Sequence, residues 1–292
     1  MPQLIANTAL AAAIVLLLGL GFGLIYRVGR FFHVAHGAVF TAGAYGLFLV
    51  VHVLGISLPV AIPIAVVLSG VLGAAIDRAV HRPLRKRNAT PAVHLIASLG
   101  LYIATTNAFA LGFGDQTLTI RGPAISEGLS VLGARLTPIQ LVTIALSVVI
   151  TALAVVLEHR TDSGLRYRAV VTDSALATAT GVPVDAVLSG SFLVGSSVAG
   201  LAGVLVALDV DLRPTMGLGP LLLAVVAVVV GGVGSSRGLV LGAVLIAAVQ
   251  NTVGWFLGQH WREPAAFAVL VLFLLFRPRG FLGPRPAGGG ER

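Results

Sequence analysis

Six stretches of this chain contain no Asp, Glu, Lys or Arg: Leu4 to Tyr26, Val34 to Leu54, Leu58 to Ile76, Pro91 to Leu111, Thr137 to Leu157 and Val187 to Leu208. A helix rises about 1.5 Å per residue, so about 20 apolar residues cross the roughly 30 Å of hydrocarbon in a bilayer. Each stretch is of that order. The chain as a whole is 57% hydrophobic and 10% charged, whereas soluble domains carry roughly 25% charged residues. The reading is an all-α, polytopic membrane protein, with residues 1–292 forming a single transmembrane domain. Its last third is less regular. Leu221 to Val233 and Ala265 to Phe276 are short, and GGVGSSRG interrupts before Leu239 to Leu257. Glycine-broken short segments are where transporter helices break or re-enter, and the expected total is eight or nine crossings.

The charges sit between the apolar runs. With nine crossings and the N-terminus outside, fifteen basic residues fall in cytoplasmic segments, among them Arg27, Arg30, the run Arg78 to Arg87, Arg160, Arg166, Arg168 and Arg237. Four fall outside: Arg121, Arg135, Arg213 and Arg262. That is the asymmetry of the positive-inside rule, so the net charge of +8 reads as topology and not as a nucleic-acid surface. The C-terminus is then cytoplasmic. The first charge is Arg27, so the N-terminus lacks the basic leader of a cleaved signal and is expected to be a retained span. There is no cysteine, which excludes disulfides and thiolate metal sites. The tail 284–292 is glycine-rich and expected to be disordered.

Phosphate-loop and zinc-protease motifs are missing. The only lysine lies in LRKRNAT with no glycine loop before it, so there is no GxxxxGK[ST] phosphate loop, and HExxH does not occur. The chain is therefore not expected to be an enzyme or to bind a cofactor. Asp77, Glu158, Asp185, Asp209 and Asp211 all fall at or near span ends. A proton-coupled transporter is expected to keep a carboxylate deep in the membrane, which argues against that mechanism while leaving sodium coupling through backbone carbonyls open. His33 and His36 share a helical face as metal ligands can, but no third ligand is near in sequence. Hydrogen bonding to a neighbouring helix and lining a pathway are the alternatives. Asn107, Gln250 and Asn251 lie within spans, where interhelical hydrogen bonds are the usual role and lining a polar route the other.

The most informative stretch is Thr161 to Leu208. Thr172 or Asp173 can cap a short helix over Ser174 to Thr180, which Gly181 can end in a left-handed turn ahead of Pro183. A helix so short needs something to pack on. Placed between spans, it would present small residues and two arginines, Arg166 and Arg168, to a soluble partner. Beyond it, Ser191, Gly195, Ala199 and Gly203 recur at four-residue spacing, one helical face that allows close helix approach in lipid.

Three motifs together resemble the permease subunits of branched-chain amino acid ABC importers. LIYRVGRFFHVAHGAVFTAGAYG looks like the junction of the family's first two spans, matching at His36, Gly37, Gly43, Ala44 and Tyr45; His33 stands where Asn is usual and Ala38 where an acidic residue is common. SGLRYRAVVTDSALATATGVPVDAV is similar to the cytoplasmic coupling loop, here 158–187, matching at Gly164, Arg168, Ala169, Ala177 and Gly181, with Asp173 as its helix cap. VVVGGVGSSRGLVLGAVL is similar to the late glycine-rich motif, at Gly231, Gly232, Gly234, Gly238 and Gly242. The resemblance implies a half-channel in the bacterial plasma (inner) membrane. It would pair with a second related permease chain or a second copy of itself, with two ABC ATPase subunits that use the ATP, and with an extracytoplasmic solute-binding protein. Branched-chain amino acids are the implied substrates; urea and short amides are the alternative. A stand-alone secondary transporter is the rival of a different class, and a membrane scaffold a third.

Overall fold

A computed structural model describes residues 1–120, 128–131 and 133–283. The first three spans are α1 (Pro2–Gly29), α2 (Ala35–Phe48) and α3 (Leu58–Ile76); α4 (Pro91–Phe113) and α5 (Pro138–Arg160) follow. Two short helices, α6 (Asp162–Thr172) and α7 (Ser174–Ala179), precede α8 (Val184–Asp209), α9 (Leu218–Gly231), α10 (Ser236–Phe256) and α11 (Arg262–Phe276). Among the described residues, seven helical segments are long and apolar enough to cross a membrane, and α9 is a shorter apolar one. Between α4 and α5 lies a short hairpin, β1 (Leu129–Val131) antiparallel to β2 (Ala134–Leu136).

One boundary differs from expectation. The basic run after Ile76 reads as a connecting loop, but the helix continues through a π-helical turn, Asp77–His81, into a last turn, Arg82–Lys86. The arginines do not end the helix because the wider turn swings Asp77 to the inside, where it meets Arg85 about two turns later.

The centre of the bundle is α1 against α8, with α2 and α3 on the far side of α8 and α9 and α10 on the far side of α1. Small residues bring these helices together. A methyl group at Gly195 would meet the Gly21 carbonyl, and one at Gly203 would overlap the carbonyl of Phe40. Gly43 lies equally close to Gly200, and Ser69 of α3 fills the space beside Gly200. The four-residue stripe Ser191, Gly195, Ala199, Gly203 is thus the packing face it was read as, and all four residues are buried. Around these crossings the large side chains Leu17, Leu18, Phe22, Phe40 and Phe192 are enclosed.

α4 and α5 lie at the periphery. Each turns a narrow polar stripe inward: His94, Ser98, Tyr102 and Thr106 on α4, Thr143, Ser147 and Thr151 on α5. Their outward faces carry Ile96, Leu99 and Ile103, and Val148, Val149 and Leu153, all exposed. Facing hydrocarbon, that pattern leaves no hydrophobic drive to bury the apolar side, and small polar residues take the helix contacts. Ser98 pins a backbone turn. Its hydroxyl accepts from Val34 N–H at 3.0 Å and lies 3.2 Å from the Phe32 carbonyl, fixing the non-helical link between α1 and α2.

Among the described residues the basic side chains divide between the two ends of the bundle. Arg27, Arg30, the Arg78 to Arg87 run, Arg160, Arg166, Arg168, Arg237, Arg277 and Arg279 lie at one end; Arg135, Arg213 and Arg262 lie at the other, with the N-terminal turn and the hairpin. The tail 284–292 and Arg121 fall outside the described residues.

Candidate functional site: a helical elbow and two polar nodes

The arginine-rich end is built around α6 and α7. Thr161 ends α5 and caps α6, its hydroxyl accepting from Gly164 N–H at 3.0 Å. Gly164 lies so close to the Leu157 and Glu158 carbonyls that any side chain there would collide with them. The start of α6 is therefore held tightly to the end of α5, and α6 with α7 forms an elbow beyond it. Asp173 then caps α7, its carboxylate accepting from Ala175 and Leu176 N–H at 2.9 and 3.0 Å. Gly181 follows at φ +85° with open space around its Cα, so the backbone conformation alone calls for glycine. The helix, its cap and its left-handed exit lie where the sequence placed them, one residue shorter at the end.

The faces differ from the expected ones. Ala177, read as part of an outward small-residue surface, is only 3% exposed and packs on Tyr167, Val170 and Leu188. The outward face carries Leu176, 63% exposed, and Leu165 of α6, 58% exposed, with Arg166 beside them. Arg168 does not point outward with Arg166; it lines a cavity of about 410 Å³ between α5, α6 and the α9–α10 break. Ala169 is partly buried in the same packing as Ala177. A short helix must give its small side chain to the bundle to be held at all, which leaves leucine for the outside.

Behind the elbow lies the first node. Glu158, in the last turn of α5, takes a two-pronged contact from Arg27 of α1, at 2.6 Å to Oε1 and 3.3 Å to Oε2, and accepts from the Ser236 hydroxyl of α10 at 3.2 Å. The guanidinium lies 5.4 Å from the Tyr167 ring, and the Tyr167 hydroxyl donates to the Leu24 carbonyl. Burial pushes the Tyr167 hydroxyl well above its ordinary pKa; Arg27 acts against that shift and Glu158 adds to it. Helices α1, α5, α6 and α10 thus meet around one carboxylate. A largely buried ion pair is little screened by water, so removing one partner leaves the other charge costly.

The second node lies at the other side of the elbow. Asp77 is fully buried, bound by Arg85 at 2.6 Å and by the Ser189 hydroxyl of α8 at 2.7 Å. Asp185, in the first turn of α8, pairs with Arg82 at 3.5 Å. His81 and His94 meet through their Nδ1 atoms at 3.0 Å under the ring of Phe31. That contact needs one donor and one acceptor, so the two Nδ1 atoms differ in whether they carry a proton. His33 contacts the same group edge-on, with ring centroids 5.1 Å from His81 and 6.0 Å from His36. His36 itself is enclosed between α1 and α2, edge-on to Phe22.

The remaining candidates are scattered. Gly37 packs on the backbone of Gly217. Tyr45 stacks on Phe109 at 4.9 Å. Asn107, expected to bridge helices, donates to Ile103 of its own helix on an exposed face. Asn251 does reach across, accepting from Arg262 at 3.3 Å while donating to Ala247; Gln250 is buried. Gly231 and Gly238 press together across the α9–α10 break. Gly232 and Gly234, at φ +101° and +105°, turn the chain between them. Phe281 and Leu282 return to this break and donate to the Val230 and Gly231 carbonyls. The glycine motif and the elbow are therefore joined: Gly234, Ser236, Glu158 and Arg168 line the same cavity. Glu158, Arg27, Tyr167 and Ser236 are not singled out by the sequence. For Glu158 and Arg27 the only signal there is opposite charge at the ends of separate spans, which does not say which ends meet; Tyr167 and Ser236 carry none.

The fold and these nodes define an all-α, multi-pass integral membrane protein whose helices cross through small residues and whose polar connections gather at one end. The chain belongs to the family described as the branched-chain amino acid transport system permease component, whose model matches residues 4–276. It is similar to the high-affinity branched-chain amino acid transport system permease protein LivH of Escherichia coli strain K12, 28% identical over 283 residues, covering 91% of this chain and 90% of that one. BraD of Pseudomonas aeruginosa, a permease protein of the same description, is 25% identical over 296 residues, covering 96% and 95%. A chain of PsaBC from Streptococcus pneumoniae, solved in complex with Fab, shares the fold at a TM-score of 0.55 and 14% identity, covering 95% of this chain and 93% of that chain.

Proposed function

We propose that this chain is the transmembrane permease subunit of an ATP-driven importer, moving branched-chain amino acids or related small polar solutes across a bacterial plasma membrane. The N-terminus is outside and the arginine-rich end is cytoplasmic. The observation that carries the reading is the α6–α7 elbow. Anchoring spans need no capped six-residue helix that buries alanine and turns leucine outward into the aqueous side. A site where a soluble ATPase docks needs an apolar contact of that kind, rimmed by charge. Two ATPase subunits, a second permease chain and an extracytoplasmic binding protein complete the complex. The names of the relatives support branched-chain amino acids as substrates.

The test is reconstitution of the chain with its partner permease, ATPases and binding protein in proteoliposomes. Uptake of labelled leucine, isoleucine or valine should require both ATP and the binding protein. Uptake driven by an ion gradient without ATP would overturn the reading, and uptake of urea or acetamide alone would move it to that substrate class.

A further inference from the structure

We propose that Glu158 is a switchable carboxylate, paired with Arg27 in the present conformation and handed to Arg168 when the elbow moves. This rests on the reading of α6 and α7 as the ATPase-coupling segment.

Arg27 and Glu158 are 14% and 9% exposed as side chains, so neither is held by bulk water. Beside them lies the cavity of about 410 Å³, which Arg168 also lines. The Nε of Arg168 is buried and has no hydrogen-bond partner among the described residues. A second cation, its Nε unpaired, thus shares a cavity with a carboxylate already bound to a first. Glu158 moves with α5 and, through the tight seat of Gly164, with the start of α6. Arg27 belongs to α1 and Ser236 to α10. The elbow is tied to those two helices here by directional polar bonds next to open volume. The glycine crossings of α1 with α8 have no such volume and do not offer a second arrangement. Two discrete pairings around one carboxylate give a bistable element of the kind that passes a movement from a docking site to the spans.

The experiment compares variants in the full reconstituted complex and reads substrate imported per ATP hydrolysed. Arg168→Gln leaves the Arg27–Glu158 pair in place, and the ratio should fall by about tenfold. The double variant Arg27→Glu with Glu158→Arg rebuilds the first pair but sets the relocated guanidinium against Arg168, so the ratio should stay low. Adding Arg168→Glu rebuilds both pairings and should recover most of the ratio. A purely structural ion pair gives the opposite pattern, with the double variant sufficient and Arg168→Gln silent; either result overturns the switch. So does a triple variant no better than the double. A wild-type chain that imports without ATP would instead overturn the coupling reading itself, and this proposal with it.

Discussion

Gly203 shows how little room single positions leave. A methyl group there overlaps the Phe40 carbonyl, whereas one at Gly190, on the same helix, meets nothing within 4 Å. Gly203→Ala should therefore cost about 1–3 kcal/mol by overpacking and lower the melting temperature of the detergent-solubilised protein, while Gly190→Ala leaves it unchanged. Equal melting temperatures would show that α2 and α8 yield at their crossing. At Gly181 the restriction is conformational and not spatial, since φ is +85° and the surroundings are open. Gly181→Val should cost about 1–2 kcal/mol and weaken ATPase association, and Gly181→Asn should be milder because Asn tolerates that region. If the two behave alike in copurification, backbone strain is not what matters. The glycine at 181 is legible in the sequence because a short capped helix must end somewhere. The partner of Gly203 is not, since nothing in a four-residue stripe says which carbonyl it will meet.

The short helix α7 is legible in its boundaries but not in its faces. Capping residues act locally, so Asp173 and Gly181 announce the ends by their own chemistry. Orientation is decided by what the helix packs on, and Ala177 fits against Tyr167 and Leu188 where Leu176 would not. Two substitutions separate the faces. Leu176→Glu should leave the chain at normal levels in the membrane yet abolish copurification of the ATPases. Ala177→Glu should place an unpaired charge against the buried packing, a cost of several kcal/mol, and reduce the amount of folded chain. Normal ATPase recovery with Leu176→Glu would remove α7 from the docking surface. α3 shows the same limit in another form. Its charged extension to Lys86 looks like a loop because arginines seldom continue a span, and only the burial of Asp77 against Arg85 and Ser189 shows why the helix goes on.

For the whole molecule, the long apolar runs settle the class and the approximate spans, because hydrocarbon tolerates few alternatives. How the spans are arranged depends on carbonyl-to-glycine contacts and paired charges between distant segments, and these have no local mark. Orientation is open to direct test in a chain without cysteine. Ser130→Cys, in the hairpin, should react with an impermeant thiol reagent in intact cells, and Arg166→Cys should not; the reverse would invert the topology. A further expectation concerns selectivity. The buried carboxylates Glu158 and Asp77 are already neutralised by arginines of the same chain. No spare buried carboxylate is therefore evident among the described residues to hold an amino acid's ammonium group. Equilibrium dialysis of the complex without its binding protein should show weak, unselective leucine binding, and tight binding of one amino acid would place the filter in this chain. The return of Phe281 and Leu282 to the α9–α10 break bears on biogenesis. The Val230 and Gly231 carbonyls gain these donors only after the ribosome has made α10, α11 and the segment beyond. Until then the break is open, and a nascent chain stalled after α11 holds every span but lacks the clasp that closes the arginine-rich end. A chain truncated after Arg277 should therefore keep every span yet leave the Val230 and Gly231 carbonyls without these donors, and melt at a lower temperature than the full chain.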